Sequence, residues 1–326
     1  MIILFFADIL LGSVHISPGD VIDSVFGGVD GHISTIINNF RIPKALTAVL
    51  AGAALSVSGL QMQTIFRNPL AGPYVLGVSS GASLGVAMVI MGMSSFLSFE
   101  LVRSLDTWAT IVAAWIGAAV LLILILAVSI RVRDIMTILI IGIMFGAVSS
   151  AIISVLQYFS NESLLKSFVV WTLGSLGNVT GDQLSVLSLA VIAGLVIAFF
   201  LNKRLNALLL GETYAFSMGV NVRTTRMLVF VSTTLLAGSI TAFCGPIAFI
   251  GIAVPHMARI IFRTTNHFAL FFAAILIGSS FMLVSDIISH LPGNESILPV
   301  NSITSLFGIP VVVLILVRNR KKSVRV

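Results

Sequence analysis

The chain is poor in charge. Of its 326 residues, only 9% are Asp, Glu, Lys or Arg, where a soluble domain carries about a quarter. Such a chain cannot cover a water-facing surface. It has a single cysteine, Cys244, which excludes an internal disulfide and a metal site built of thiolates. No Gly-Lys pair occurs in it, so a phosphate-binding P-loop for ATP is excluded too. What it has in abundance is apolar residues, at 58% of the total, with a mean hydropathy of +1.12. This is too apolar for disorder, and long apolar runs between short polar breaks leave one class, an all-α polytopic membrane protein.

A helical span needs about 20 apolar residues. Ten candidate spans follow, at 1–11, 43–66, 74–93, 107–130, 135–159, 184–201, 227–245, 247–262, 268–289 and 302–317. The first is the anomaly, because eleven helical residues rise only about 16 Å; a truncated first helix with its start upstream of Met1 is expected. Pro255 and His256 predict a broken or tilted eighth span.

Orientation is read from the basic residues. With both termini cytoplasmic, fourteen of the 18 Lys and Arg fall in inner loops and the C-terminal tail. Arg131, Arg133, Lys203, Arg204 and Arg226 are among them, and only Arg41, Lys44, Arg103 and Lys166 fall elsewhere. That is the positive-inside pattern. The net charge of +6 is then explained by anionic lipid at the inner leaflet, with no need for a nucleic-acid partner. The outer loops are acidic, with Asp20, Asp30, Glu100, Asp106, Glu162 and Glu295 among them. Two of them, 12–42 and 160–183, are long enough to hold short surface helices, and 202–226 is the longest inner loop. Asn-X-Ser/Thr tripeptides at Asn161, Asn178 and Asn294 read as chance.

Gly77, Gly81 and Gly85 recur every four residues in span three, a stripe that lets helix backbones approach closely. Span five repeats it with Gly142, Gly146 and Ser150, beside Ser149; this is a helix seam or the wall of an aqueous path, with the seam favoured. The histidines at 15, 32, 256, 267 and 290 do not supply paired axial ligands for a haem, and no cofactor or metal site is expected. Asp286 lies near the outer end of span nine and Asp8 in the short first span, but spans two to seven have no ionisable group at their middles. An ion-driven carrier normally carries one there, so energy from outside the chain is implied. In the inner loop, 212–218 reads as a short helix with Glu212 at its positive end and Gly219 as its stop. Tyr214, Ala215 and Met218 fall on one face of that helix, which either packs on its own protein or docks a partner.

These residues also carry a resemblance. Arg41-Ile42-Pro43-Lys44, Gly52-Ala53-Ala54-Leu55, Ser58-Gly59, Gln63 and Arg67-Asn68-Pro69-Leu70-Ala71 come first, then Leu76-Gly77-Val78-Ser79-Ser80-Gly81-Ala82. Gly211-Glu212, Gly219-Val220-Asn221-Val222, Gly245-Pro246-Ile247, Phe249-Ile250-Gly251, Pro255-His256, Ala258-Arg259 and Leu298-Pro299-Val300 follow in order. Over about residues 12–317 the chain resembles the FecCD-type permease subunits of bacterial ABC importers for iron-siderophores, haem and cobalamin. The resemblance implies one permease domain over 1–326 with the ten-helix type II importer fold, in the bacterial inner membrane. It also implies a second permease subunit, as a homodimer or close heterodimer, two cytoplasmic ATPases, and a periplasmic or lipid-anchored binding protein.

The resemblance further implies site roles. Gly211, Glu212, Tyr214, Ala215, Met218, Gly219 and Val220 would meet the ATPase. Asp134, Ile135, Met136 and Thr137 fall at the cytoplasmic gate. Gly142, Gly146, Ser149 and Ser150 would line the path, while Arg41, Lys44 and His290 would receive the binding protein. Ile297 stands where the family commonly has Glu. An ion-coupled carrier and a non-transporting scaffold remain the rival readings of the residues themselves.

Overall fold

The computed structural model describes residues 1–12, 16–25, 31–92, 107–132, 134–290 and 297–323. Among them every regular element is helical. In chain order they are α1 (Ile2–Leu10), α2 (Pro18–Val25), α3 (His32–Ile36), α4 (Ile42–Ile65), α5 (Val78–Ala87), α6 (Thr107–Arg131), α7 (Ile135–Phe159) and α8 (Glu162–Thr172). Then come α9 (Gly181–Leu209), α10 (Glu212–Ser217), α11 (Val222–Thr233), α12 (Ser239–Cys244), α13 (Ile250–Phe262), α14 (His267–Ser289) and α15 (Val300–Ser323). His15, Asp30, Glu100, Arg103, Asp106, Arg133, Asn294 and Glu295, named above, lie outside the described residues.

All ten expected spans are helical. Six helices among the described residues are long and apolar enough to cross a bilayer, and three more are shorter and apolar. Two of the long ones join through π-helical turns: α3 runs into α4 through Ile37–Arg41, and α11 into α12 through Thr234–Gly238. The 12–42 segment is therefore only partly a loop, since its second half is the first turns of a 34-residue helix.

The core is centred on α4, which packs against α14, α13 and α9. Its most apolar stretch is 83% buried, against 28% for α6, 22% for α7 and 28% for α9. Small residues make this central position possible. Gly52 lies under the Gly278 carbonyl of α14, and Gly59 under the Gly251 carbonyl of α13. Any side chain at either would meet backbone. The expected break at Pro255 is absent, and α13 runs through it unbroken. Pro255 lacks the N–H that would bond Gly251 four residues back, and the carbonyl left over is the one seated on Gly59. The helical run is interrupted instead before α13, where residues 245–248 belong to no helix and the chain bends at Phe249. The Gly81 and Gly85 stripe behaves as expected, closing on the Gly117 and Ala113 carbonyls of α6.

Candidate functional site

The basic residues gather where α6, α9 and α13 end and α7, α11 and α14 begin; this is called the basic end below. Here α9 continues to Leu209 and α11 starts at Val222, so the expected 202–226 loop shrinks to 210–221. A loop and a polar helical turn beyond the membrane have the same composition, which is why the sequence overstated it.

Within this short connection each residue type has a local reason. Gly211 takes φ +115°, open only to glycine at little cost, and ends α9. Helix α10 then runs Glu212–Ser217. Gly219, at φ +79°, closes it: its N–H bonds Phe216 O at 2.9 Å and the Val220 N–H bonds Ala215 O at 2.9 Å, a Schellman pair. Asn221 caps α11 by accepting from Thr224 N at 3.0 Å. Arg226 reaches back from α11 and donates to Glu212 Oε1 at 3.2 Å.

The expected shared face of Tyr214, Ala215 and Met218 is split. Ala215 is fully buried and anchors α10, while Tyr214, Phe216 and Met218 are 67%, 75% and 63% exposed. Met218 lies past the end of α10, and Phe216, which the sequence reading passed over, is the most exposed of the three. The signal was there, in three large apolar residues at every second position of a water-side connection. Beneath them opens a cleft of about 710 Å³, whose walls include Ser129, Val132, Glu212, Phe216 and Arg226.

The 134–137 segment begins two residues after Val132, a wall of this cleft. Asp134 caps α7, accepting from Thr137 Oγ1 at 2.7 Å, Thr137 N at 2.8 Å and Met136 N at 3.3 Å. Those bonds, the Thr137 hydroxyl first, hold its carboxyl below the usual range, and the Arg226 charge adds to the effect. Of the expected gate (Asp134, Ile135, Met136, Thr137), Asp134 lies within the field of Arg226, which also bonds Glu212.

The residues expected to line the path divide between the interior and the surface of the chain. Gly142 and Ser149 are buried. A methyl group on Gly142 would lie 2.7 Å from Val75 O, and one on Gly146 would lie 3.2 Å from Ser80 Oγ. These residues form a seam with the 75–80 segment because only small residues let it approach. Ser150 alone of the four is exposed, on the face that also shows Ile143 two turns earlier.

At the opposite end two of the residues expected to receive the binding protein are enclosed in the chain. Arg41 and Lys44 are 7% and 8% exposed. Arg41 Nη1 donates to Ile9 O at 2.5 Å and Leu10 O at 3.0 Å, covering carbonyls at the end of α1. Lys44 Nζ lies 2.5 Å from Asp286 Oδ2 and 3.6 Å from Asp8 Oδ1. Both carboxylates are fully buried. Charges inside an apolar bundle need partners, and these three are one another's. His290 is half-buried, with Nδ1 3.5 Å from Asp286 Oδ1. Nearby, Trp171, Phe243, Cys244, His290 and exposed Ile297 border a second cleft of about 500 Å³.

Three comparisons bear on this geometry. The FecCD transport family matches residues 1–318. The hemin transport system permease protein HmuU of Yersinia pestis is 34% identical, over 87% of this chain and 84% of its own. The vitamin B12 import system permease protein BtuC of Vibrio parahaemolyticus is 32% identical, over 98% and 94%. A solved inward-facing conformation of a metal-chelate type ABC transporter superposes with a TM-score of 0.84 at 26% identity, covering 97% of this chain and 96% of that one. The family match over nearly the whole chain and relatives above 30% identity across most of it agree, and this chain is a member of the FecCD transport family.

Proposed function

We propose that this chain is the permease subunit of an ABC importer for an iron chelate, haem or cobalamin, with no nucleotide site of its own. Two copies, or this chain and a close relative, form the path between them in the bacterial inner membrane. Both termini and the basic end face the cytoplasm, where two ATPase subunits seat on α10. A binding protein delivers substrate to the other end.

The observation that carries this reading is α10 itself. Tyr214, Phe216 and Met218 are large, apolar and exposed beyond the ends of the spans, where nothing among the described residues covers them. Ala215 and the Glu212–Arg226 pair hold α10 on the ends of α9 and α11, so a push on it reaches both helices. Asp134, within the field of Arg226, extends that reach to the start of α7. Arg41 and Lys44 are left out of the docking surface, since both are buried; His290 keeps that role.

Replacing Tyr214, Phe216 and Met218 together with Ser tests the assignment by co-purification with the ATPase encoded alongside. Loss of the ATPase with normal membrane insertion is expected. A complex that assembles and transports normally would refute it. Bulky replacement of Ala215 with Gly219 should give the same loss.

A further inference from the structure

A second amphipathic cleft lies at the basic end, away from α10. It has a volume of about 540 Å³ and sits between the last turns of α9 and the start of α14, with Phe199, Phe200, Asn202, Lys203 and Phe268 in its walls. Three observations point to a ligand. Asn202 is 4% exposed, yet its Nδ2 is buried with no acceptor among the described residues. A donor left so costs about 1–3 kcal/mol unless something fills the cleft. Lys203 is exposed, and no salt bridge among the described residues engages it. The cleft also opens at the amino end of α14, a 23-residue helix whose dipole favours an anion there.

Below this polar rim the surface turns abruptly aromatic. The Phe199 ring lies 5.7 Å from Phe200, 5.8 Å from Phe268 and 5.7 Å from Phe271, centroid to centroid. Phe200 and Phe268 are 73% and 52% exposed. Asn206 and Asn266 hold the two helices in this register: Asn206 Nδ2 donates to Asn266 Oδ1 at 3.3 Å, and Asn206 Oδ1 accepts from His267 N at 2.8 Å.

We infer that this cleft binds one phospholipid with an anionic headgroup, its phosphate at Lys203 and Asn202 and its acyl chains along Phe200 and Phe268. A cationic rim, a buried amide donor and an apolar wall in that order match such a lipid at the depth where headgroup meets hydrocarbon. A soluble anion would leave the aromatic wall unused. The inference needs only that the chain spans a membrane and is independent of what it transports.

The test is thermal stability of the full chain in neutral detergent with added phosphatidylglycerol, phosphatidylcholine or inorganic phosphate, with retained lipid counted by native mass spectrometry. Phosphatidylglycerol should raise the melting temperature more than phosphatidylcholine, and one molecule should stay bound. Lys203→Gln should weaken that binding about fivefold, and Asn202→Leu should remove the preference, while Lys166→Gln leaves it unchanged. Equal shifts with both lipids, or a preference that survives Lys203→Gln and Asn202→Leu, would overturn the inference. An equal shift with phosphate alone would overturn it in favour of a free-anion site. Lys203 is exposed, so its variant folds and the test holds even where Asn202→Leu does not.

Discussion

The two ends of this bundle treat their side chains in opposite ways. At the end where α1, α4 and α14 meet, three charged residues, Asp8, Lys44 and Asp286, are buried, with the lysine within ion-pair reach of both carboxylates. At the basic end three large apolar residues, Tyr214, Phe216 and Met218, are exposed. The first set has its ion-pair partners within one chain, while an apolar surface outside the membrane calls for a partner. Position in sequence misleads on both. Lys44 reads as an outer-surface cation, and Ala215 reads as part of a docking face, but burial reverses each.

The largest effect that would break this comparison is at Lys44. Lys44→Met leaves two buried carboxylates without their cation, and about 3–5 kcal/mol of stability should be lost, read from denaturant unfolding in detergent. Adding Asp8→Asn and Asp286→Asn should restore most of it. A Lys44→Met chain as stable as its parent would mean that these groups are not enclosed together.

At the other end the effects are smaller. Gly219→Val forces a β-branched side chain into φ +79° and should cost about 1–3 kcal/mol locally, seen as faster amide exchange across α10. Breaking the Glu212–Arg226 pair by Glu212→Gln should cost about 0–1 kcal/mol, because Glu212 is half-exposed. ATPase coupling should fall more than stability does.

The smallest effect depends on pH. The Asp134 carboxyl is held below its ordinary value by its bonds to Thr137, so its stabilising effect is fully present above the usual carboxylate range and fades as pH falls through the lowered value. Asp134→Asn should therefore fray the start of α7 at neutral pH, and the difference from the parent should vanish in acid. A deficit that does not change with pH would show that the charge plays no part.

Much of the bundle was legible because apolar runs of bilayer length have few alternatives, and because glycines at four-residue spacing have one common use. Span 135–159 coincides with α7 from end to end. The helix extensions past the bilayer were not legible: residues 202–206 and 223–226 are mostly polar, and hydropathy cannot tell a polar turn from a loop. Nor could the sequence show which side of α7 faces inward, since Gly142 and Ser150 belong to one stripe but only the first is buried. The Lys44 cluster was half legible. Asp8 and Asp286 stand out as carboxylates in apolar helices, but Lys44 reads as a docking cation, because the sequence does not show which span lies beside which.

The most direct measurement is substrate uptake into proteoliposomes holding this chain with and without its ATPase. The account predicts accumulation only with the ATPase present and hydrolysing, and none with the Tyr214, Phe216 and Met218 triple replacement. Uphill uptake by this chain alone would contradict it.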